Sequence, residues 1–291
     1  MNRISYDLHA RDITLSLGHE TKIMGVLNCT PDSFSGDGRF NPHKSGKVNR
    51  QAALRFARKL IREGADILDI GGESTRPGSN GISLKEEIQR VVPVVEALAR
   101  QSKVPISVDT SKMEVACRAL DAGACIVNNI KGGRQNTRFL KMVRDYRAVL
   151  VVMHMRGDPS TMQKYTRYKD LVADVIKEIQ ISVEKCLAIG IKKERLIIDP
   201  GFGFAKSFEQ NLMLIDRLEE FNVLRLPILV GTSRKSFIGK ILDQDVKGRL
   251  MGTAASVVAG VMKGAHIVRV HDVAAIKDTL KVTDAILNAH P

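Results

Sequence analysis

The sequence predicts an α/β protein, a (β/α)8 TIM barrel with a short N-terminal β-hairpin. Three observations support this prediction. Eight short apolar runs alternate with helix-like stretches along the 291 residues. This length suits one barrel, which typically needs roughly 250 residues. No G-x-G-x-x-G motif follows the first run, and this disfavours the open doubly wound sheet that the same alternation would otherwise allow.

The strands can be placed in order along the chain. Residues 4–17 alternate weakly between apolar and polar side chains, which predicts the hairpin. Apolar runs rich in β-formers then predict the eight barrel strands at residues 22–27, 67–70, 105–108, 125–127, 149–153, 196–198, 227–230 and 266–270. We expect one domain over residues 1–291, with the hairpin in 1–18 and the barrel in 19–291.

The helices fill the intervals between these runs. Ser83 and Glu86 have the spacing of a capping box, and Gly64, Gly123 and Gly190 each stand where a helix should end. The predicted helices cover residues 47–63, 84–100, 112–122, 138–147, 170–189, 207–220, 248–263 and 273–289.

Composition limits the possible classes of protein. Hydrophobic residues make up 44% of the chain, which is enough for a large core and argues against disorder. The net charge is +13, but the basic residues are spread out and no aromatic residues interleave with them. We therefore expect an anion site and no nucleic-acid partner.

Three further features of the sequence predict where in the cell the protein is found. The four cysteines form no C-x-x-C pair, which suits a reducing cytoplasm. The first eleven residues contain no apolar stretch typical of a signal peptide. The longest apolar run, residues 148–153, is far too short to span a bilayer, so we expect no membrane association.

Polar residues are concentrated where the predicted strands end. They are Asn28, Asp69, Asp109, Asn128, His154, Asp199, Lys235, Arg269 and His271. One polar residue at one strand end is usually a helix cap or a turn. In a barrel, however, all eight ends converge on one mouth, where active sites are found. So many polar ends together predict an active site there.

The loops at these ends add chemical detail. Residues 28–38 form a long loop whose Asn28 offers a hard oxygen of the kind that Mg²⁺ prefers. Arg76, in the glycine-containing loop 71–78, can clamp a carboxylate or a phosphate. Long loops containing glycine are often lids over a site.

Two further loops predict separate parts of a binding site. Asp199 can accept two hydrogen bonds from a flat heterocycle, and Phe202 and Phe204 can pack on an aromatic substrate. Arg269 and His271 alternate at the strand period and therefore share one face. They stand at the start of the last helix, where an N-terminus favours anions, and this predicts a diphosphate site.

Seven segments together resemble the signatures of the dihydropteroate synthases, in the order in which that family has them. They are MGVLNCTPDSFS at 24–35, DIGGESTRPG at 69–78, SVDT at 107–110, MHMRG at 153–157, DPGFGF at 199–204, GTSRKS at 231–236 and RVHD at 269–272. The resemblance implies a transferase of folate biosynthesis, which joins 6-hydroxymethyl-7,8-dihydropterin diphosphate to p-aminobenzoate and releases diphosphate. It also implies dependence on Mg²⁺, a cytoplasmic homodimer formed through outer helices, and a target of sulfonamides.

The resemblance also implies roles for individual residues. The pterin would be held by Asp109, Asn128, Met153, Asp199, Gly231 and Lys235. The diphosphate would be held by Asn28, with the metal, and by Arg269 and His271. The p-aminobenzoate pocket would be formed by Phe34, Thr75, Arg76, Pro77, Phe204, Lys235 and Ser236. The catalytic residues would be Asp109, Asp199, Lys235, Arg269 and His271.

Two departures from the family's pattern leave alternatives open. Asn129 stands where the family usually has Asp, and the loop 35–38 reads SGDG instead of SDGG, which moves its acid to Asp37. One alternative is therefore a pterin-binding paralogue that has lost turnover. Another is a methyltetrahydrofolate:corrinoid methyltransferase, which uses a similar barrel, although the segments TRP at 75–77 and SRKS at 233–236 point away from it.

The long first loop and the second loop generate a prediction about the order of binding. Ordering a loop costs roughly 1–2 kcal/mol per residue, and the few contacts of p-aminobenzoate alone would not offset this cost. Diphosphate with Mg²⁺ would offset it by giving Asn28, Asp37 and Arg76 charged partners. We expect p-aminobenzoate and sulfonamides to bind much more tightly when Mg²⁺-diphosphate and a pterin are present. Calorimetric titration with and without them tests this, and equal affinities would mean that the pocket is preformed.

Overall fold

The computed structural model describes residues 3–30, 50–73 and 81–289, and over these residues the fold is a barrel with a hairpin at one end. The hairpin strands β1 and β2 are Tyr6–Ala10 and Ile13–Leu17. The barrel strands β3 to β10 are Lys22–Asn28, Ile67–Gly71, Ile106–Asp109, Ile126–Asn129, Val149–Met153, Leu196–Asp199, Leu229–Val230 and Ile267–Val270. All eight barrel strands lie where the sequence predicts strands, with ends shifted by two residues or fewer.

The eight barrel strands are parallel and follow the spatial order β8-β7-β6-β5-β4-β3-β10-β9. The remaining seam, between β8 and β9, is closed by a single bridge between Ile198 and Ile228. There the amide of Ile198 donates to the carbonyl oxygen of Pro227 over 2.9 Å. The prediction of a closed (β/α)8 barrel is therefore confirmed.

Nine α-helices surround the barrel in the described part of the chain. Helices α1 to α9 are Arg50–Arg62, Leu84–Gln101, Met113–Asp121, Thr137–Asp145, Leu171–Ala188, Phe208–Asp216, Ser236–Leu242, Leu250–Met262 and Val273–Leu287. The first three residues of the helix predicted over 47–63 lie outside the described residues.

Three details of the helices differ from the sequence prediction. Helix α7 was not predicted, because its seven residues are too few to show a helical period and Gly239 interrupts them. The helix predicted over 207–220 ends as an α-helix at Asp216 and continues as a 3-10 helix. At Ser83, the side chain accepts from the Glu86 amide as predicted, but the Glu86 carboxylate pairs with Arg90.

The two faces of each barrel strand pack in different places. Alternate residues such as Ile23, Leu68 and Val108 pack outward against the helices. Their neighbours, such as Met24 and Ile67, point into the barrel. Because both faces are buried, the strands are nearly continuous apolar runs, and this is why the sequence predicts their positions so closely.

The hairpin covers the N-terminal end of the barrel. Its side chains Leu8, Ala10 and Leu17 are buried and pack on the interior residues at that end, including Met24 and Ile267. Arg11, in the hairpin turn, donates to the carbonyl oxygen of Leu120 over 2.9 Å. The C-terminal ends of the strands therefore form the mouth of the barrel.

No helix in the described ranges is long and apolar enough to cross a membrane.

The packing of the hairpin generates a test of stability. Leu8 is 1% exposed within the interior cluster, whereas Ile4, just before the hairpin, is 43% exposed. Replacing Leu8 with Ala should lower the free energy of unfolding by about 2–5 kcal/mol, because truncating a buried Leu to Ala leaves a cavity. Ile4→Ala, the matched control, should change it by about 0.5 kcal/mol or less. Urea denaturation measures both, and equal losses would show that the hairpin does not seal the interior.

Candidate active site

Strand register brings the predicted site residues together at the mouth. Asn28 aligns with Gly71, Gly71 with Asp109, and Asp109 with Asn128 on four adjacent strands. The even alternation of strand side chains points all four positions into the barrel. Asn28 is partly buried and is the last residue of β3.

Arg269 lies at the centre of this arrangement. Its Nε donates to Asp69 Oδ2 over 2.6 Å, and its Nη2 donates to Asp109 Oδ2 over 2.8 Å. The Asp69 carboxylate also accepts from Ser107 Oγ at 2.6 Å and from Asn128 Nδ2 at 3.1 Å. One guanidinium and one buried carboxylate therefore connect side chains from β4, β5, β6 and β10.

Asp69 has a larger structural role than the sequence indicates. The sequence shows an acid at the end of a strand, but nothing in it says that the side chain is completely buried and binds three other site residues. One signal was available. Asp69 has the same parity as the inward-facing Ile67, and an acid inside a barrel needs a cationic partner from another strand.

Burial and neighbouring charge set the electrostatics of the centre. Burial raises the pKa of Asp109, and the adjacent carboxylate of Asp69 raises it further, although Arg269 acts in the opposite direction. Burial alone would lower the pKa of Arg269, but the carboxylates of Asp69 and Asp109 outweigh it and raise that pKa. Arg269 therefore stays charged, while Asp109 protonates more readily than an exposed acid.

Asp199 lies at the end of β8, beside Met153 of β7 in the sheet register. Its Oδ1 accepts from the amide of Gly201 over 2.7 Å. Burial raises the pKa of this carboxyl, whereas the Gly201 hydrogen bond and the charges of Lys235 and Lys206 oppose the rise. A carboxylate has about four acceptor positions, and Gly201 uses one of them.

An apolar surface stands next to these acids. Met153 and Phe204 belong to one cluster with Ile130, and Phe204 is partly buried. The Lys235 ammonium lies 4.4 Å from the centroid of the Phe204 ring, which is the range of a cation–π contact. The structure therefore brings Met153, Phe204 and Lys235 together, as the sequence predicts. Phe202 is different: it is 2% exposed within the core between barrel and helices, so the prediction that it packs on substrate is wrong.

His271 is held by the loop that follows β9. Its amide donates to Ser233 Oγ over 3.2 Å, and Ser233 Oγ lies 3.0 Å from its Nδ1. When the Ser233 hydroxyl donates to Nδ1, the imidazole proton is on Nε2, which can then donate to an anion. Arg234 and Asp272 form a salt bridge beside this contact and tie the same loop to the start of α9.

The remaining predicted residues lie in different environments. Gly231 follows β9 beside Arg269, and a Cβ at this position would be 3.9 Å from the Cβ of Arg269, an ordinary contact distance. Ser236 is the exposed first residue of α7. Asn129 is buried and faces outward, where its Oδ1 accepts from the amide of Lys131 over 2.7 Å. The predicted residues Phe34, Asp37, Thr75, Arg76 and Pro77 lie outside the described residues.

His154 ends a strand but does not belong to the mouth. It is 4% exposed and, coming directly after the inward-facing Met153, points away from the barrel interior. There its Nε2 lies 3.0 Å from Glu178 Oε2, and its Nδ1 lies 3.0 Å from Lys206 Nζ. The sequence places His154 with the mouth residues because it directly follows the predicted strand, but the alternation of side chains along β7 turns it outward.

Potential metal ligands are few. Within residues 3–30, 50–73 and 81–289, no group of three or more His, Cys, Asp or Glu side chains could hold a metal ion. Asn28 supplies a single amide oxygen at the mouth. This is compatible with Mg²⁺, which commonly takes one or two protein oxygens and completes its octahedron with phosphate oxygens and water.

Comparison with known proteins gives consistent results. The model of the family described as "Pterin binding enzyme" matches residues 24–271. A dihydropteroate synthase from Synechocystis is 46% identical over 270 residues, which cover 92% of this chain and 91% of the relative.

Solved structures agree in fold. The Yersinia pestis dihydropteroate synthase in complex with a sulfonamide drug superposes with a TM-score of 0.88 at 41% identity, covering 97% of this chain and 99% of that one. The Xanthomonas albilineans dihydropteroate synthase with 4-aminobenzoic acid also gives 0.88, at 38% identity, covering 99% and 100%.

The buried carboxylate at the centre generates a prediction. Asp69→Asn removes the negative charge that faces Arg269, and breaking a buried ion pair in this way should cost about 3–5 kcal/mol of unfolding free energy. Ser107→Ala removes only one neutral donor to the same carboxylate and should cost about 1 kcal/mol. Chemical denaturation of the two variants tests the difference. Similar losses would mean that the Arg269–Asp69 pair does not hold the centre together.

Proposed function

The chain belongs to the family of pterin-binding enzymes, and we propose that it is a dihydropteroate synthase. Such an enzyme transfers the pterin of 6-hydroxymethyl-7,8-dihydropterin diphosphate to p-aminobenzoate, and it releases diphosphate and 7,8-dihydropteroate. The observation that carries the proposal is the group formed by Arg269, Asp69 and Asp109 at the barrel mouth, with Asp199 at the C-terminal end of β8. It combines a cation for diphosphate with carboxylates for a pterin.

The pterin would be bound by the polar groups of the inward-facing layer. Asp199 has acceptor positions beyond the one that Gly201 uses, and these suit adjacent N–H groups of a 2-amino-4-oxo heterocycle. Asn128 and Asp109 supply further polar atoms on neighbouring strands, and Met153 supplies an apolar face. Lys235 and Gly231 would complete this site.

The diphosphate would be bound by Arg269, His271 and Asn28. Arg269 uses Nε and Nη2 for its two carboxylates, so Nη1 belongs to neither contact. His271 offers the donor that Ser233 orients. Asn28 would give one oxygen to Mg²⁺, and the bound ion would neutralise negative charge on the diphosphate.

Chemistry would proceed by dissociation of the diphosphate from the exocyclic carbon of the pterin. Arg269 and His271 stabilise the negative charge that grows on the leaving group. Asp109 and Asp199 stabilise the positive charge left on the pterin, and the amine of p-aminobenzoate then attacks. Each well-placed group would contribute a few kcal/mol, on the scale of about 2.7–4 kcal/mol for one oxyanion-hole donor. No nucleophilic side chain is required.

The p-aminobenzoate pocket would lie beside Phe204, Lys235 and Ser236. The Phe204 ring provides an apolar wall, and Lys235 provides a cation near it. The predicted contribution of Phe34, Thr75, Arg76 and Pro77 concerns residues outside the described ones and remains a proposal.

We also propose a cytoplasmic homodimer formed through the outer helices. Large apolar side chains are exposed on α8 and α9: Met251 is 76% exposed, Val282 63% and Ile286 58%. Apolar groups exposed on neighbouring helices favour self-association. Sedimentation velocity would measure the mass.

A turnover assay tests the proposed function directly. The purified protein is incubated with pterin diphosphate, p-aminobenzoate and Mg²⁺, and dihydropteroate and diphosphate are measured in equal amounts. Pterin binding without product would identify the paralogue that has lost turnover. Methyl transfer from methyltetrahydrofolate to a corrinoid, with no dihydropteroate formed, would identify the methyltransferase.

The pterin site generates a prediction for Asp199. Asn at this position replaces one acceptor with a donor, and a buried mismatch of this kind costs about 1–3 kcal/mol. Asp199→Asn should therefore weaken pterin binding at least tenfold in calorimetry. Asp278→Asn, which makes the same change at an exposed position of α9, is the control and should bind as the unmodified protein does. Unchanged affinity in Asp199→Asn would remove this residue from the site.

A further inference from the structure

The loop that follows β8 has an unusual backbone. Gly201 and Gly203 adopt φ values of 74° and 79°, and Ala205 adopts 53°. For a residue with a Cβ, this left-handed region costs about 1–2 kcal/mol. Backbone of this kind persists where surrounding contacts hold it in place. The loop runs from Pro200 to Lys206. Asp199, just before it, and Phe204, within it, are the two residues presented to the mouth.

Lys206 supplies the central contacts of this loop. Its ammonium donates to the carbonyl oxygens of Gly201 and Phe204, over 3.1 and 3.0 Å, and lies 3.0 Å from His154 Nδ1. An ammonium has three N–H donors, and these three acceptors match them. Lys206 is 3% exposed, and burial lowers its pKa to about 7, although the carboxylates of Asp199 and Glu178 oppose this. Among the residues that the structure describes, no carboxylate contacts this buried amine directly.

His154 is the side chain that holds Lys206 beneath the loop. Because its Nδ1 accepts from the Lys206 ammonium, Nε2 carries the imidazole proton and donates to Glu178 Oε2 over 3.0 Å. Glu178 is held in turn by Arg156. Gly201 packs directly on His154, since a Cβ at position 201 would come within 2.0 Å of the His154 carbonyl oxygen.

Other side chains fix the rest of the loop. The Tyr168 hydroxyl donates to the carbonyl oxygen of Ala205 over 2.9 Å, and the amide of Gly203 donates to Asn211 Oδ1 over 2.6 Å. These contacts hold single positions. Lys206 differs because one atom, its Nζ, joins the beginning and the end of the loop to His154, the residue after β7.

We propose that Lys206, bound to the Nδ1 atom of His154, is a positioning residue that aims Asp199 and Phe204 at the substrates. This rests on the proposed function, because Asp199 is there the pterin acceptor and Phe204 a wall of the p-aminobenzoate pocket. The loop carries the effect in two ways: the Gly201 amide orients Asp199 Oδ1, and the Phe204 carbonyl fixes the ring that faces Lys235.

Removal of the ammonium is the first experiment. Lys206→Met keeps the side chain as far as Cε but removes the ammonium. The Phe204 carbonyl and His154 Nδ1 then lose their donor, whereas the Gly201 carbonyl still accepts from the amide of Phe204. We expect the KM values for both pterin diphosphate and p-aminobenzoate to rise at least tenfold, with a smaller change in kcat. Lys177→Met, on the exposed face of α5, makes the same substitution and should leave both constants unchanged. Wild-type KM values in Lys206→Met would overturn the proposal.

A matched pair at His154 separates positioning from packing. Asn places its Oδ1 where His has Nδ1, so His154→Asn keeps an acceptor for Lys206 while losing the contact with Glu178. His154→Leu loses both. We expect KM values within threefold of wild type for Asn, and an increase of at least tenfold for Leu. Equal effects of the two substitutions would show that the imidazole only fills space, and would overturn the proposal.

Amide hydrogen exchange tests the hold on the loop without any turnover. Residues 201–206 of unliganded Lys206→Met should exchange at least tenfold faster than in wild type, whereas residues 6–17 of the hairpin should exchange at the wild-type rate. Unchanged exchange in the loop would overturn the proposal. If wild type makes no dihydropteroate, the proposed function fails, and the exchange rates still decide whether Lys206 fixes the loop. If Lys206→Met does not fold, the His154 pair decides.

Discussion

The pairing of Arg269 with Asp69 and Asp109 is the interaction on which the mouth of the barrel depends. Alternation along parallel strands points every second side chain inward, and a closed barrel has little water inside to solvate a charge. A buried acid on β4 is therefore tolerated because a guanidinium reaches it from β10, across the intervening strand β3. The same guanidinium lies where the diphosphate is proposed to bind, so structural and chemical requirements fall on one side chain.

The sequence was sufficient to predict the barrel because each strand is buried on both faces. Runs such as residues 149–153 contain only apolar side chains and are followed by a polar one, and this pattern is typical of a buried parallel strand. Helix α7 escaped prediction because seven residues do not establish a period. The hairpin was predicted from a weak alternation, but its position under the barrel was not, because that depends on contacts between segments far apart in sequence.

The site was predictable residue by residue where strand parity is decisive. Asp109, Asn128 and Asp199 stand at inward positions, and the structure brings them to the mouth. Parity read from the sequence fails where one residue separates an inward from an outward side chain. This explains why His154, one residue after the inward-facing Met153, lies beneath the loop. Phe202 and Phe204 have the same parity, and they differ because they lie in the loop after β8, where left-handed glycines end the strand alternation. The connection of Asp69 to three strands follows from geometry that no local pattern contains.

The hairpin that covers the N-terminal end of the barrel also determines from which side a molecule can enter the site. Within the described part of the chain, Leu8 and Leu17 seal that end, so both substrates have to arrive from the side on which the polar layer lies. The proposed pterin site, formed by inward-facing strand residues, is the deeper of the two, and the proposed p-aminobenzoate site lies nearer the surface at Ser236. A molecule seated at the outer site would then block the path to the inner one. With the two sites as proposed, the pterin has to enter first and p-aminobenzoate second.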